Sequence, residues 1–439
     1  MRLDGRLPGL LLLVVLLVLP RPALADKPII VGDGTAASCT EAALANALAV
    51  AASVGGGRTQ FHCGDAPATI TVATTLVIPN NTTINGGGTI TLLGTNRLAT
   101  VFSVAGNTTV ALKGLIFSNA CQPFCFLGAV KNEGTITVDN TTFSDIVAEG
   151  GFSPPGGAGG AFINFGTAIV NNSVFLRILG FENAVAILNV GTLTVNNSSF
   201  SQNDTDCCGA AILNLGTATV NNSTFVDSFL VGGLGGAIYN AGTLTVKNCS
   251  FSDTFGTAAG GGIYSFGTLA VQNSTFSHTT AHLGAGGGGI YIAGGSASVR
   301  NSEFFENEAA TVGGAIANYG TLELVNSTVS DNKAFRITFP LGGGFTGQGG
   351  GIFNAGTLTV VNSRLSGNAA DDQGGGIFNL GTLILNKSII ADNTAIVGGG
   401  VYNCIEGQIA DDIISSPCHG TLTLQRTTVT ENTPDNIFP

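Results

Sequence analysis

Tryptophan is absent, methionine occurs once, and only 10% of the 439 residues carry a charge. Basic residues are the scarcer sign, with 16 against 27 acidic ones, which gives a formal net charge of −11. This balance argues against nucleic acid or anionic lipid as a partner. The Cys-x-x-Cys spacings typical of zinc sites are also missing. We therefore expect no nucleic acid partner and no cofactor.

Long apolar runs are lacking except at the N-terminus. Residues 10–19 form one such run, preceded by Arg2 and Arg6 and followed by Ala23-Leu24-Ala25. This order of basic, apolar and small residues predicts a signal peptide over residues 1–25. The run is short for a membrane span. We therefore expect a mature protein without a transmembrane segment, secreted or held at the cell surface.

Glycine, by contrast, is abundant, with 65 residues, and the chain after residue 130 is visibly repetitive. The repeated unit reads roughly GG-A/G-I-Y-N-x-GTLTVxNSTFSDN, most often in steps of 25 residues. Leu244 and Val246 alternate with threonines, which is the periodicity of a strand. Ile238 and Phe251 mark two further short strands, and glycine and asparagine lie between the strands, where the chain must turn.

A single unit of this kind cannot bury its own apolar face, so neighbouring units must stack. The sequence therefore predicts an all-β fold, a right-handed parallel β-helix of the pectin-lyase-like solenoid type, with three sheets and about 25 residues per coil. The core should contain one aromatic column that turns aliphatic toward the C-terminus: Phe143, Phe175, Phe200, Phe225, Phe251, Phe276, Phe304, Val329, Leu365, Ile390 and Val429.

Asparagines form two further columns. One lies six residues after each Gly of the Gly-Thr step, and the other lies two residues before it. Asparagine tolerates a left-handed corner, and its amide can bond to the amide one coil away. We predict a structural ladder from the first column: Asn140, Asn172, Asn197, Asn222, Asn248, Asn273, Asn301, Asn326 and Asn362. In the second column, Ser265 and Ala293 interrupt the asparagines.

Asn222 also begins an Asn-Ser-Thr glycosylation sequon. Asn301 and Asn362 keep their place in the column but begin Asn-Ser-Glu and Asn-Ser-Arg, which are not sequons. Selection for glycosylation would not leave this pattern, whereas stacking at a corner would. We therefore interpret Asn222 as a ladder residue.

The segment before the repeat is different. AALANALAVAASV reads as an alanine-rich helix, with Ser38 or Thr40 as its N-cap. Such a helix would cover the open end of the first coil. The expected organisation is a signal peptide over 1–25, an N-terminal cap over 26–66, the β-helix over 67–432 and a tail over 433–439. No comparable cap follows the last coil, so end-to-end self-association is expected.

Nine cysteines in an oxidising compartment should mostly pair. Three pairs that each close a short segment are the expected disulfides: Cys39–Cys63, Cys121–Cys125 and Cys404–Cys418. Cys207, Cys208 and Cys249 leave an odd one, and the sequence does not settle how they pair.

Several short motifs resemble a known family. The stretches GGAIYN (235–240), GGAIAN (313–318) and FFEN (304–307) resemble the GGA-I and F-x-x-N repeats of polymorphic outer-membrane proteins, which are β-helical adhesins. The stretch ASCTEAAL (37–44) resembles the Cys-Ser-Leu-Arg-Glu-Ala-type segment before such helices in secreted bacterial proteins. The resemblance implies a bacterial source and the same fold. It carries over no catalytic residue. The sequence shows no pattern of the adhesins' C-terminal barrel, so we do not expect insertion into an outer membrane.

Candidate chemistry is sparse. Glycosidases need two carboxylates in one site, and the candidates are Asp204 with Asp206, Asp371 with Asp372, and Asp411 with Asp412. Calcium could use the last two pairs as oxygen ligands, although no calcium-loop spacing supports it. His278 and His282 share one variable segment. The other two histidines, His62 and His419, are scattered.

Two features favour surface binding. Extra residues cluster at one corner, over 147–158, 254–260, 278–287 and 333–348, and such loops often carry binding sites. Thr-x-Thr pairs should also form two outward rows that resemble the faces of ice-binding solenoids. Ile169, Ala270, Glu323 and Ile384 break these rows. The candidate surface-binding residues are Thr192, Thr194, Thr217, Thr219, Thr243 and Thr245.

The sequence favours a secreted, non-catalytic, adhesin-like β-helix that binds a carbohydrate or another cell-surface component. The first alternative is a polysaccharide lyase or glycoside hydrolase of the same fold. It would require a carboxylate cluster with a basic residue on one face of adjacent coils. The second alternative is a binder of ice or crystal surfaces through the Thr-x-Thr face.

Overall fold

The computed structural model describes residues 27–438, apart from 96–99, 119–127, 150–159, 182–184, 207, 231, 283, 339–343 and 406–417. The predicted signal peptide, Cys121, Cys125 and the pair Asp411 and Asp412 lie outside the described residues. The described chain is a parallel β-helix, which confirms the predicted fold class. Three stacks of strands, here called sheets A, B and C, contain 27, 14 and 9 strands.

Sheet A begins with five N-terminal strands: Ile29–Val31, Gly57–Phe61, Ala68–Val72, Thr82–Gly94 and Thr109–Ser118. Each later coil adds one long and one short strand on either side of a left-handed corner, which is an asparagine except at Lys387 and Arg426 in the last two coils. The long strands are Thr135–Asp139, Thr167–Asn171, Thr192–Asn196, Thr217–Asn221, Thr243–Lys247, Thr268–Gln272, Ser296–Arg300, Thr321–Val325, Thr357–Val361, Thr382–Asn386 and Thr421–Gln425. The short strands are Thr142–Ser144, Val174–Leu176, Ser199–Ser201, Thr224–Val226, Ser250–Ser252, Thr275–Ser277, Glu303–Phe305, Thr328–Ser330, Arg364–Ser366, Ile389–Ala391 and Thr428–Thr430.

Sheet B contains the isoleucine-rich strand of each unit. Its strands are Leu76–Val77, Phe102–Val104, Val130–Asn132, Gly160–Asn164, Val185–Asn189, Ile212–Asn214, Ile238–Asn240, Ile263–Ser265, Ile290–Ile292, Ile316–Asn318, Ile352–Asn354, Ile377–Asn379, Val401–Asn403 and Ile437–Phe438.

Sheet C lies between the short strand of sheet A and the next strand of sheet B. Its strands are Val147–Glu149, Leu179–Phe181, Asp204–Thr205, Phe229–Leu230, Phe255–Gly256, Thr280–Ala281, Glu308–Ala310, Lys333–Phe335 and Ala369–Ala370. Four of these strands lie within the expected loop inserts 147–158, 254–260, 278–287 and 333–348, so the expectation that those segments are only loops was too simple. The first residues of the sheet C strands pair in register from coil to coil. Most central coils therefore contain four strands rather than three. A small antiparallel hairpin, Ile337–Thr338 with Gly344–Phe345, is an insert of the expected kind.

The core follows the predicted columns. Successive phenylalanine rings from Phe117 to Phe304 stack with centroids 4.5–4.9 Å apart. Val329, Leu365 and Ile390 continue the column and are fully buried. The Gly-Thr glycines allow the corner of one coil to lie against the next, because a Cβ on Gly216 would lie 2.2 Å from the carbonyl oxygen of Gly191.

The N-terminal end is covered by helix α1, Glu41–Val54. Of the two N-cap candidates, Thr40 is the cap, since its hydroxyl accepts a hydrogen bond from the Ala43 backbone N–H. Leu44 and Leu48 are buried in the same cluster as the first core residues of the β-helix. The Cys39–Cys63 disulfide holds the segment before the helix to the end of the following strand.

Candidate binding face

The first asparagine column lies at a corner that requires a left-handed backbone, with φ between 47° and 53° from Asn140 to Asn362. Along it, each side-chain amide from Asn197 onward donates to the side-chain oxygen one coil earlier, at 2.8–3.4 Å. At the start of the column, the Asn172 amide instead donates to Asp139, at 3.0 Å. The side chains on this ladder are exposed to solvent.

The second column forms a ladder whose side chains are all buried. Neighbouring side-chain amides donate at 2.7–2.8 Å over two runs, Asn132 to Asn240 and Asn318 to Asn403. The interruption was placed wrongly by one residue: Ile292, not Ala293, aligns with Ser265 and Asn318. The coil has one extra residue there, so counting back from Gly295 gives the wrong position.

Sequence reasoning missed a third ladder. Asn307, Asn332, Asn368, Asn393 and Asn432 are buried, and each amide donates to the next side-chain oxygen along the stack, at 2.8–2.9 Å, as far as Asn432. The sequence did contain a signal for this ladder. Each of these asparagines lies three residues after a member of the core column, in the part of that column that runs from Phe304 to Val429.

The structure contains two of the three expected disulfides, Cys39–Cys63 and Cys404–Cys418. Cys208 is also disulfide-bonded. Cys249 is a free, buried thiol, and burial raises its pKa to about 11. Cys249 occupies one position in a column of buried serines that runs beside the exposed asparagine ladder. Its neighbours in that column are Ser223 and Ser274.

The threonine array has one row at the first position of each long strand. This position is exposed in every coil from Thr135 to Thr421, so the row faces solvent as predicted. The second row is half-buried and is interrupted by Ile169, Ala270, Glu323 and Ile384. Arg300 and Glu323 form an ion pair across the array. Both rows are unbroken only over the three coils from Thr192 to Thr245.

The carboxylate pair Asp371 and Asp372 has structural partners. Asp371 accepts a hydrogen bond from the Arg336 backbone N–H at 2.9 Å. Asp372 is buried, accepts from the Gly347 backbone N–H at 2.8 Å and forms an ion pair with Arg336. These bonds hold the hairpin insert to the rod, which accounts for the pair without a calcium ion. No three His, Cys, Asp or Glu side chains within the described ranges come together as a metal site.

The two histidines of the variable segment do not form a pair. His278 contacts Glu306, with Nε2 and Oε2 2.7 Å apart. The His282 ring lies 5.8 Å from the Phe255 ring and 5.9 Å from the Phe335 ring. His282 therefore belongs to an aromatic surface on sheet C.

We define the sheet C face as the outward side chains of sheet C together with the left-handed corner that precedes each of its strands. Phe229 and Phe255 stack on this face with centroids 4.7 Å apart, and the Phe229 side chain is 45% exposed. Exposed, ordered aromatic rings of this kind often mark a binding surface. Sequence reasoning missed both rings, because Phe255 lies in an expected loop insert and Phe229 lies in a strand of only two residues.

A depression of about 480 Å³ opens on the N-terminal side of this aromatic stack. It forms where Asp204 stands between the larger Leu179 and Phe229 in the aligned strand positions. Its wall also includes Arg177 and Asp227. Burial raises the pKa of Asp204, although a hydrogen bond from the Phe229 backbone N–H, at 3.1 Å, opposes this rise.

A second depression, of about 390 Å³, lies farther along the same face. It opens where Gly367 and Ala369 replace the longer Asp331 and Lys333 of the preceding coil. Its wall is lined by His278, Glu306, Glu308, Asp331, Asn332, Lys333, Gly367 and Ala369. From Asp204 to Ala369 there are six coil steps, which corresponds to about 29 Å at the usual strand spacing.

The sheet C face is acidic. One cation on this face, Arg177, donates hydrogen bonds of 2.6 and 3.0 Å to Asp145. These bonds lower the pKa of the Asp145 carboxyl group. Lys333 lies 3.9 Å from Asp371. Within the described part of the chain, no cation pairs with the carboxylates lining the two depressions at Asp204, Asp227, Glu308 and Asp331. A ligand on this face therefore meets a negative potential.

The repeat, the parallel stacking and the ladders define the class of protein. The sequence matches the family described as the right-handed beta helix region over residues 128–329 and 208–433. The chain belongs to this family of right-handed β-helix proteins. No curated protein matches it. No helix in the described ranges is long and apolar enough to cross a membrane.

Two solved structures are similar in fold. PfbA, a surface adhesin of Streptococcus pneumoniae, is 13% identical, with a TM-score of 0.47 over 94% of this chain and 93% of that one. The catalytic unit of a thermostable GH87 alpha-1,3-glucanase from Streptomyces thermodiastaticus strain HF3-3 is 14% identical, with a TM-score of 0.43 over 93% of this chain and 70% of that one.

Proposed function

We propose that the protein is a secreted β-helix that binds glycans along the sheet C face. The observation that carries the proposal is the exposed Phe229–Phe255 stack between two carboxylate-lined depressions. Aromatic rings supply flat apolar contact, and a few polar groups at each end fix the orientation of a ligand. The signal-like N-terminus and the disulfides support an extracellular location. The resemblance to polymorphic outer-membrane adhesins also favours binding.

The charge of the face favours some glycans over others. Unpaired carboxylates would repel a polyuronate, whereas a neutral or amine-bearing glycan avoids that repulsion. The two depressions lie along the rod on one face, so an extended oligosaccharide can contact both. We therefore propose a linear, neutral or amino-sugar glycan as the ligand class.

Titration calorimetry with neutral glucan, chitosan and galacturonan oligosaccharides tests the proposal. We expect galacturonan to bind at least about tenfold more weakly than the best of the others. Replacing both rings, Phe229→Ala with Phe255→Ala, should weaken binding by about tenfold or more. The matched control is Phe266→Ala, an exposed ring outside sheet C. Binding that survives the double change, or that falls equally in the control, would place the ligand elsewhere.

Glycan cleavage is the second candidate, and one observation favours it. Asp204, whose pKa is raised by burial, shares a depression with the carboxylate of Asp227 and the guanidinium of Arg177 on adjacent coils. An acid with a raised pKa beside a second carboxylate is the arrangement that glycosidases use. The test is release of reducing ends from glycans that bind. Activity lost in Asp204→Asn with binding retained would establish catalysis, and bound glycans left intact by the wild type would exclude it for those ligands.

A further inference from the structure

The corner that follows each sheet B strand contributes one residue per coil to a line along the rod. The backbone N–H of each residue in this line donates to the carbonyl of the last strand residue one coil earlier, at 2.8–2.9 Å. We call the line over six central coils the corner ridge: Leu215, Ala241, Phe266, Ala293, Tyr319 and Ala355. Its residues are therefore held one coil apart, or about 4.8 Å at the usual strand spacing.

Large and small side chains alternate along the corner ridge. Leu215, Phe266 and Tyr319 are 47%, 61% and 39% exposed, and an alanine of the ridge separates each from the next. The extra residue Gly294 adds no side chain beside Ala293. The ridge thus presents apolar projections at every second coil, with gaps between them. A contiguous line of exposed apolar groups often marks a protein contact.

Amphipathic and polar side chains flank the corner ridge. On the sheet B side, the half-buried rings of Tyr239, Tyr264 and Tyr291 stack with centroids 5.2 Å apart. The Tyr319 ring continues this stack, 5.2 Å from the ring of Tyr291. On the sheet A side lies the exposed first row of the threonine array. An apolar centre with a polar rim is the usual anatomy of a protein–protein interface.

The corner ridge and the strands beside it are also uncharged. From Gly160–Asn164 to Ile377–Asn379, no sheet B strand and no corner residue after it carries a charge. The sheet C face, by contrast, carries carboxylates, and the chain has a formal net charge of −11. Two copies of this acidic chain repel each other where their carboxylates approach, so the uncharged side is where they can meet.

From the alternation and the charge we infer that two copies of the chain associate side by side, with their corner ridges antiparallel about a two-fold axis between Phe266 and Ala293. In this register each projection meets a gap in the second copy: Phe266 opposite Ala293, Tyr319 opposite Ala241, and Leu215 opposite Ala355. Each contact occurs twice, because a two-fold interface is self-complementary, and the association closes after two copies.

The association does not involve the proposed glycan surface. The corner ridge lies between sheet B and the long strands of sheet A, whereas sheet C lies between the short strands of sheet A and the next strands of sheet B. The sheet C faces of both copies therefore stay open to solvent. The inference holds whether or not that face binds a glycan.

Light scattering across a concentration series tests the inference on the full chain. We expect a mass that rises to twice that of the chain and no further. Phe266→Lys should raise the dissociation constant by about tenfold or more, because it places a charge in the contact. The matched control is Ile389→Lys, since Ile389 is 41% exposed but lies in a short strand of sheet A. A monomer at every concentration, open-ended growth, or equal weakening by the control would overturn the inference.

A gap-filling change separates a fitted contact from general hydrophobic association. Ala241→Phe makes the ridge more apolar, but it fills the gap that receives Tyr319 of the second copy. We therefore expect it to weaken the dimer by about tenfold. Stronger association in Ala241→Phe would contradict the fit. A monomer that sediments with phosphatidylcholine vesicles through Phe266 would assign the ridge to a lipid surface and overturn the inference.

Cross-linking tests the register itself. Leu215→Cys and Ala355→Cys should form an intermolecular disulfide when the two single variants are mixed and oxidised, because the register places these positions opposite each other. Neither variant should cross-link with itself, since its two cysteines would lie five coil steps apart along the rod, or about 24 Å. Self-cross-linking of one variant, or no cross-link in a mixture that dimerises by scattering, would overturn the register.

Discussion

The exposed and the buried asparagine ladders run along the same rod, with amides that bond from coil to coil in both. In the exposed ladder, represented by Asn222, the side chains are in contact with water, and the backbone takes the left-handed conformation. In the buried ladder, represented by Asn214, the side chain is fully enclosed and bonds to backbone carbonyls as well. Asparagine therefore permits a left-handed corner in the exposed ladder, whereas in the buried ladder it supplies hydrogen bonds that water cannot replace.

The hydrogen bond alone therefore does not set how much a ladder residue contributes to stability. Breaking a bond at the exposed ladder lets water replace the lost partner, so the cost is small. Breaking one at the buried ladder leaves donors and acceptors without any partner, and each such group costs about 1–3 kcal/mol.

The largest effect is expected for Asn214→Ala. The change removes the acceptor of the Asn189 amide, at 2.8 Å, and the donor to Asn240, at 2.7 Å. It also removes the donor to the Thr243 carbonyl, at 3.1 Å. We expect the free energy of unfolding to fall by about 3 kcal/mol, measured from denaturant midpoints with unchanged slope.

Hydrogen exchange should locate this loss, since a stack of repeats can open locally. Amides of Thr217–Asn221 and Thr243–Lys247 should exchange faster, while those of Thr82–Gly94 stay protected. If Asn214→Ala were no more destabilising than the same change at Asn222, the distinction between the ladders would fail.

A smaller effect is expected at the exposed ladder. Asn222→Ala should lower the free energy of unfolding by about 1 kcal/mol, because alanine is strained at a φ of 50°. Unpaired neighbours should contribute less, because the neighbouring amides of this ladder face water. Asn222→Gly separates the two causes, since glycine accepts this φ and also removes the bonds to Asn197 and Asn248. Near wild-type stability in Asn222→Gly supports backbone strain; a loss equal to that of Asn222→Ala supports the hydrogen bonds.

The smallest effect is expected at Cys249, beside the exposed ladder. In Cys249→Ser, the new hydroxyl can donate to the Lys247 carbonyl as Ser223 does to that of Asn221, so stability near neutral pH should change by at most about 0.5 kcal/mol. The native thiol, whose pKa is about 11, should resist thiol reagents at mildly alkaline pH until the protein is denatured.

This burial also predicts a pH dependence with a definite sign. The thiol pKa is higher in the folded chain, at about 11, than its ordinary value of 9.0. The unfolded state therefore loses the proton first, and stability falls as pH rises between these values. Wild type should lose more stability than Cys249→Ser over this interval. Parallel stability curves for the two proteins would contradict the burial of the thiol.

The fold and the first two ladders could be predicted because their residues recur at fixed steps. Phe225 and Phe251 lie in aligned positions of neighbouring units, and no knowledge of distant contacts is needed to align them. The third ladder carried the same kind of signal at Asn332, but it lies near variable segments that obscure its period. The extra residue before Gly295 shows the limit of counting, since only the strand register reveals which residue faces the core.

The candidate site could not be predicted in the same way. The sheet C strands are two or three residues long, too short for alternation to be recognised. The depression at Asp204 arises from a short side chain between two larger ones on other coils. Such a depression depends on differences between units, whereas reading a repeat emphasises what the units share. Of the predicted carboxylate pairs, Asp371 and Asp372 bind the hairpin insert to the rod. Asp204 shares its depression with Asp227, which was not its predicted partner.

The corner glycines of successive coils have a consequence for the history of the gene. Gly191 and Gly216 stand one above the other, 25 residues apart, and the same columns follow each of them. A chain joined directly from Gly191 to Thr217 would keep every column in place. Unequal recombination can therefore lengthen or shorten this rod by whole coils without redesigning its interior, and the length of the protein can change more readily than its cross-section.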